Sequence, residues 1–350
     1  MDTHIKSREF GSLSKGEKVR LFELNSENGC CVSVSEYGAA ITSITLLDKH
    51  GNMGEICLGY DKLDPYVQDT QFLGATVGRY ANRISNSQFT LNNIQYSLEP
   101  NIPPHQIHGG AAGFHKQHWM GAPNHDGESH SVTFQRVSAD GECGYPGELD
   151  VVVTYSLSKD NILTIEYRAV ATKETFVSLT NHAYFNLSHR ETIEKHSITI
   201  FSDFITPLDA MMLPTGEIQP VIGTPFDLNR PSLIAQGLAS PSQQIQNSAG
   251  YDINYILNKG KLPLNKAAYV YDEESGRSIT LKTTQPCLQF YTGNNLSGTP
   301  NRQDTPLPRH AGFCLEPQDY PNGPNLIQFP TAPLAAGQEY SQRTEYHFGF

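Results

Sequence analysis

Positive charge is in short supply: 25 Lys and Arg stand against 36 Asp and Glu, a formal net charge of −11. No Lys/Arg cluster is present that could neutralise a row of phosphates, so nucleic acid and anionic membrane are not expected as partners. Long apolar runs are missing too. None approaches the roughly 20 residues that span a bilayer, and the opening MDTHIKSREFGSLSKGEK has no apolar core of a secretory leader. The six cysteines (Cys30, Cys31, Cys57, Cys143, Cys287 and Cys314) show no CxxC spacing, which argues against both a disulfide framework and a thiolate zinc site. A reducing, cytoplasmic setting is the expectation, and the sequons at Asn186 and Asn295 then read as chance matches. A dinucleotide fingerprint, a P-loop and a G-x-S-x-G elbow are all lacking, so hydride transfer, phosphoryl transfer and serine hydrolysis lose their usual support. No fixed-period repeat is present, which argues against a propeller.

What the 350 residues do contain is apolar content of 38 %, enough for a substantial core, and strand-like alternation almost throughout. In LDVVVTYSL, Leu149, Val151, Val153, Tyr155 and Leu157 fall on one side. In ILTIEYRAV, Leu163, Ile165, Tyr167 and Ala169 do the same, against Thr164, Glu166 and Arg168. The intervening SKDN reads as a short polar hairpin turn. Similar runs occur in CVSVSEYG, ITSITLL, SVTFQRV, RSITLKT and CLQFYTGN, separated by clusters of Gly, Pro, Asn and Asp. Helical candidates are few and short, near DKLDPYVQD and PSLIAQGLA. With 29 Gly and 22 Pro spread evenly, no domain boundary is visible. The expectation is one all-β domain over residues 1–350, built from two antiparallel sheets packed face to face.

Four polar islands interrupt or end these runs: GRYANRI (78–84), HQIHGG (105–110), NHAYFNL (181–187) and GFCLEPQ (312–318). In an extended NHAYFNL, Ala183, Phe185 and Leu187 share one face while His182, Tyr184 and Asn186 share the other, a polar and aromatic surface suited to a wet cleft. In GFCLEPQ, Phe313 and Leu315 face one way and Gly312, Cys314 and Glu316 the other. A carboxylate and an imidazole facing each other across a cleft form a general base and general acid pair. Taken singly, His182 and Glu316 read more simply as hydrogen-bonded scaffold residues; their shared local design is what favours chemistry.

The pairs His105/His108 and His115/His118 have HxxH spacing, which permits a metal reading. Three residues apart on an extended chain, however, the rings of each pair point to opposite faces, and the flanking NIPPHQ and GGAAGF are loop sequence. The simpler reading turns His108 alone inward, helped by the flexible Gly109 and Gly110, with no metal. GRYANRI offers Arg79 and Arg83 at i and i+4, together with Asn82. On a strand the two guanidinium groups share a face, one free to bind vicinal oxygens and the other to make a structural ion pair. Asp252 in GYDINYIL and Gln289 in CLQFYTGN are further polar groups among apolar and aromatic neighbours. Such an inventory suits the hydroxyls and ring faces of a neutral sugar.

Together, GRYANRI, HGG, GECGYPGE (141–148), NHAYFNL, GYD, QFYTGN and GFCLEPQ, in this order, make the chain resemble the aldose 1-epimerases, or galactose mutarotases, over roughly residues 20–350. The resemblance implies a large antiparallel β-sandwich of the galactose mutarotase-like supersandwich type, with few short helices, a cleft open on one sheet and no cofactor. It implies interconversion of the α and β anomers of an aldohexose, with Glu316 as catalytic base and His182, initially protonated, as acid. His108 would position the sugar beside its ring oxygen, while Asn82, Arg83, Asp252 and Gln289 would bind hydroxyls. The protein would work as a monomer or weak dimer on this small-molecule substrate. Two other readings stay open, a sugar-binding β-sandwich without turnover and an epimerase-like protein acting on hexose phosphates. The chain departs from the family pattern at Ile253, where a histidine is frequent, and at Cys143, where an acidic residue is common; GYPGE itself reads as a turn entering the strand at Leu149.

Overall fold

Period-two alternation is realised along the central strands. The computed structural model describes residues 5–126 and 129–350. In Leu149–Leu157 every second side chain from Leu149 is buried and the intervening ones are exposed or half-buried. Ile162–Ala171 pairs with it in antiparallel register, Leu157 opposite Leu163 across the SKDN turn, where Asn161 takes a φ of 59°. Thr164, expected on the outer face, is nearly covered, flanked on either side by Ser156 and Glu345 of the neighbouring strands.

These two strands sit inside a nine-stranded antiparallel sheet that runs, in spatial order, through Met120–Asp126, Ser129–Ser138, Leu149–Leu157, Ile162–Ala171, Glu339–Gly349, Ser278–Thr283, Asn265–Tyr271, Ser197–Ile200 and Ser232–Leu233. A five-stranded meander covers Ile5–Ser12 to Met53–Glu55. A six-stranded sheet orders Tyr184–Phe185, Phe313–Gln318, Cys287–Tyr291, Asp252–Ile256, Phe204–Thr206 and Gln219–Pro220.

The sandwich is thus present, but its second layer is divided in two. The five- and six-stranded sheets are stitched where Leu58 N–H donates to the Tyr184 carbonyl (2.9 Å) and Asn186 N–H to the Ile56 carbonyl (3.0 Å), immediately after the last strand of the meander. Both halves pack on the nine-stranded sheet. Phe22 meets Phe134 edge-on at 5.7 Å, and Phe185 meets Tyr346 at 5.4 Å. Buried hydroxyls cross the layers as well: Tyr155 donates to Ala39 O (2.7 Å) and Tyr346 to Leu315 O (3.2 Å), so their polar ends are satisfied within the core. One continuous apolar cluster runs from Phe22 to Phe348.

Short helices occupy Leu63–Gln68 and Ile234–Leu238, inside the two segments that suggested them. A third, Gln243–Ser248, has only Ile245 buried, too little apolar content to announce a helix in the sequence.

GRYANRI is not a strand along its length; Arg83 and Ile84 pair with Ile107 and Gln106, and Tyr80 makes an isolated bridge to Ser178. Arg79 therefore does not share a face with Arg83. Its guanidinium turns inward and donates to Ser138 Oγ and O, Ala139 O, Pro146 O and Gly147 O at 2.6–3.0 Å, tying the GYPGE turn to the strand edge. Removing it strands several buried carbonyls, each costing about 1–3 kcal/mol. Arg79→Met is expected to lower stability by about 3 kcal/mol or more, read as a lower urea midpoint at unchanged m-value.

Candidate active site

The strand Phe313–Gln318 buries Phe313 and Leu315 in the main core, and its alternation turns Cys314 and Glu316 to the opposite face. Register then gathers partners across the sheet: Gln289 lies opposite Glu316, Tyr291 opposite Cys314, and Asp252 opposite Tyr291. The Thr180–Asn181 segment pairs with Thr76–Val77, and His182 extends it through N–H to Ala75 O (2.9 Å) while its carbonyl accepts from Gly74 N–H (3.0 Å). The backbone of His182 is thus pinned at the rim of the six-stranded sheet.

These groups close a cavity of about 210 Å³ whose lining includes all seven site residues anticipated from the sequence: Asn82, Arg83, His108, His182, Asp252, Gln289 and Glu316. His182 Nε2 stands 3.8 Å from Glu316 Oε2, and that oxygen is buried with no hydrogen-bond partner among the described residues. Asp252 organises the far wall. It accepts from Gln289 Nε2 (2.6 Å) on one oxygen and from Arg83 Nη2 (3.3 Å) on the other. Asn82 Oδ1 accepts from Arg83 N–H (2.8 Å), so the Asn82 amide NH₂ is the group it has left to offer.

His108 is locked against Asn82 in both directions: its N–H donates to Asn82 O (3.0 Å) and its Nδ1 accepts from Asn82 N–H (3.2 Å). Backbone at positive φ makes this possible, 53° at His108 and 65° at Asn82. Gly109 follows at φ 83°, where a Cβ would collide with the Gly78 carbonyl. The other histidines of the HxxH pairs do not line the cavity. His105 Nδ1 accepts from Asn86 N–H (2.9 Å), His115 packs on Phe72 (ring centroids 4.4 Å apart), and His118 Nε2 faces Glu36 at 3.6 Å.

Burial dominates the electrostatics. It pushes the Glu316 carboxyl well above the usual carboxylate range, Asp252 adding to the rise and Arg83 opposing it. It pushes His182 down to about 4, against the pull of a backbone carbonyl and Asp252. His108 is held well below its ordinary value by burial, then by His182, Arg83 and His115. Both members of the facing pair are thereby driven to their neutral forms. Burial of the pair thus works against the imidazolium and carboxylate that the resemblance implies, and hydrogen bonds from a bound ligand would oppose that effect.

His108, His182 and Glu316 also bring one donor atom each within 4.8 Å of one another, the geometry of a candidate metal cluster. The His108 tautomer does not fit that role. With Nδ1 accepting from Asn82, the ring proton sits on Nε2, and neither nitrogen offers a free lone pair.

Alternation alone did not reveal the aromatic wall. Phe72 contacts the rings of His108 (4.8 Å) and His182 (5.8 Å), and holds a φ of 58° in a loop that carries no motif. Tyr184 lies on the His182 face of NHAYFNL as expected, whereas Asn186 is spent on Arg190 O and Ala311 O (both 3.0 Å) and does not line the cavity. Tyr291 and Asn295 complete this side.

A sequence profile of the family described as aldose 1-epimerase matches residues 20–347. The chain belongs to the aldose 1-epimerase family. It is 41 % identical to a galactose mutarotase of Sus scrofa over 343 residues, 97 % of each chain. It is 35 % identical to an aldose 1-epimerase of Escherichia coli K12, covering 95 % of this chain and 96 % of that one. Among solved structures, a galactose 1-epimerase from Lactobacillus acidophilus superposes with a TM-score of 0.87 at 28 % identity, covering 99 % of this chain and 98 % of that one. An aldose epimerase homologue from C. elegans gives 0.86 at 29 %, covering 93 % and 98 %. The two departures from the family's sequence pattern lie outside the cavity: Ile253 is in the main core, and Cys143 packs with Tyr80, Ile84 and Phe89.

The depressed His182 pKa carries a stability consequence. The unfolded histidine takes up a proton below its ordinary value of 6.5, whereas the folded one resists until about 4. Stability is therefore lost as pH falls through that window. Relative to His182→Asn, the wild-type protein is expected to lose about 3 kcal/mol between pH 6.5 and 4 in urea titrations.

Proposed function

We propose that the chain interconverts the α and β anomers of free aldohexoses such as D-galactose and D-glucose by general acid/base ring opening and closure. One observation carries this reading: Glu316 and His182, far apart in sequence, face each other at 3.8 Å within one cavity. The cavity, smaller than the roughly 300–1,000 Å³ that suits drug-sized ligands, is in keeping with a single sugar ring.

Hydrogen bonds from entering hydroxyls stabilise the Glu316 carboxylate, and His182 carries the working proton on Nε2. Glu316 then takes the proton of the C1 hydroxyl while His182 protonates the ring oxygen. The bond between C1 and the ring oxygen breaks, the aldehyde turns about its link to C2, and closure on the other face returns both protons. Arg83, Asn82, Asp252 and Gln289 hold hydroxyls that do not react, which leaves C1 free to turn. His108, with its proton on Nε2, donates to the sugar near the ring oxygen. Such a scheme needs no cofactor, since each positioned proton transfer contributes about 10²- to 10⁴-fold.

A phosphorylated substrate is not favoured, because Arg83 is the one Arg or Lys among the lining residues and is already paired with Asp252. The six cysteines are free, five of them buried, which supports a cytoplasmic setting.

Polarimetry of freshly dissolved α-galactose is expected to show fast equilibration with the wild-type protein. Glu316→Gln and His182→Asn should each fold and lose about 10²-fold or more; wild-type rates in either variant would remove that residue from the mechanism. His108→Asn should weaken binding and rate together, and a hexose 6-phosphate should react more slowly than free galactose. A sugar-binding protein without turnover would leave the rotation at its spontaneous rate.

A further inference from the structure

The mechanism employs Nε2 of His182 and leaves Nδ1 without a task. That nitrogen lies 3.5 Å from Sγ of Cys314. Cys314 is fully buried, unpaired with any other cysteine, and on the same strand face as Glu316. Burial raises its thiol far above the ordinary range, so the sulfur is a neutral thiol. A thiol can donate through S–H or accept on sulfur, and the two choices select opposite imidazole tautomers. If S–H donated to Nδ1, the neutral ring would carry its proton on Nε2 and could protonate a sugar only by becoming an imidazolate. If sulfur accepts from Nδ1–H, the neutral ring keeps a lone pair on Nε2, facing the partnerless Glu316 Oε2.

We propose that the Cys314 sulfur accepts a hydrogen bond from Nδ1–H of His182 and so holds the imidazole in the tautomer whose Nε2 exchanges the working proton with Glu316 and the sugar. The inference rests on the acid/base reading above. Cys314 touches no reacting atom and is a positioning residue. The Nδ1 proton stays in place throughout: Nε2 gives its proton to the ring oxygen on opening and recovers it on closure, while Glu316 gains the C1 hydroxyl proton and returns it. The His182 carbonyl, which accepts from Gly74 N–H (3.0 Å) and has a second lone pair, is the other local acceptor and favours the same Nδ1–H tautomer.

The direct test is ¹⁵N NMR of the histidine-labelled wild-type protein at neutral pH. The expected result is a protonated Nδ1 and an unprotonated Nε2 for His182. A neutral ring protonated on Nε2, in a protein active in polarimetry, would overturn the inference and leave the acid/base reading intact; an inactive wild-type protein would overturn both. As a second arm, Cys314→Ala should lower kcat by about three- to tenfold at unchanged KM, the size of one hydrogen bond's net contribution. Cys314→Ser, which keeps an acceptor on the same atom, should recover that loss. An unchanged kcat in Cys314→Ala, or a change in KM alone, would count against the proposal.

Discussion

The obligation of Phe313 and Leu315 to sit in the core organises the site. A strand turns successive side chains to opposite faces, so burying those two sends Cys314 and Glu316 the other way, Glu316 into the cavity and Cys314 against His182. The same rule operates at NHAYFNL, where Ala183, Phe185 and Leu187 belong to the core and Tyr184 faces the cavity. The apolar core thus aims the polar groups, and a one-residue slip of the Phe313–Gln318 register would exchange them.

Aiming a carboxyl group into a buried, aromatic-walled cavity has an electrostatic price. Desolvation disfavours the charged forms of Glu316, His182 and His108 alike; Arg83, paired with Asp252, opposes it at Glu316 and adds to it at His108. The consequence is a facing pair in which burial disfavours both charged forms. Ring opening and closure ask each member to serve in both senses within one catalytic cycle. Hydrogen bonding elsewhere in the wall is arranged to stay put. Asp252, Gln289, Arg83, Asn82 and His108 bond one another, whereas Glu316 Oε2 is left without a partner.

The scaffold residues make the same point from the other side. Arg79 turns into the protein and satisfies carbonyls of the strand edge and the GYPGE turn, 59 to 68 residues further along the chain. Its neighbour Arg83 goes to the cavity because the chain between them leaves the extended conformation, with Asn82 at φ 65°. The histidines behave likewise: among the HxxH positions only His108 lines the cavity, and the loop that carries it is locked to Asn82 by reciprocal bonds.

By itself the sequence determined the strands, the hairpin at SKDN, two of the short helices and the faces of Phe313–Gln318, because alternation and turn chemistry act between residues close in the chain. The ordered motifs named the family and with it the seven polar residues. Three things only the tertiary structure decided. It split the second layer where residues 56–58 meet Tyr184–Phe185. It brought Phe72 against both His108 and His182. It buried Glu316 and His182 deeply enough to disfavour the charged form of each. Each depends on sheet register, on loops at positive φ or on the removal of water, and these arise between groups whose separation along the chain carries no information about their distance in space.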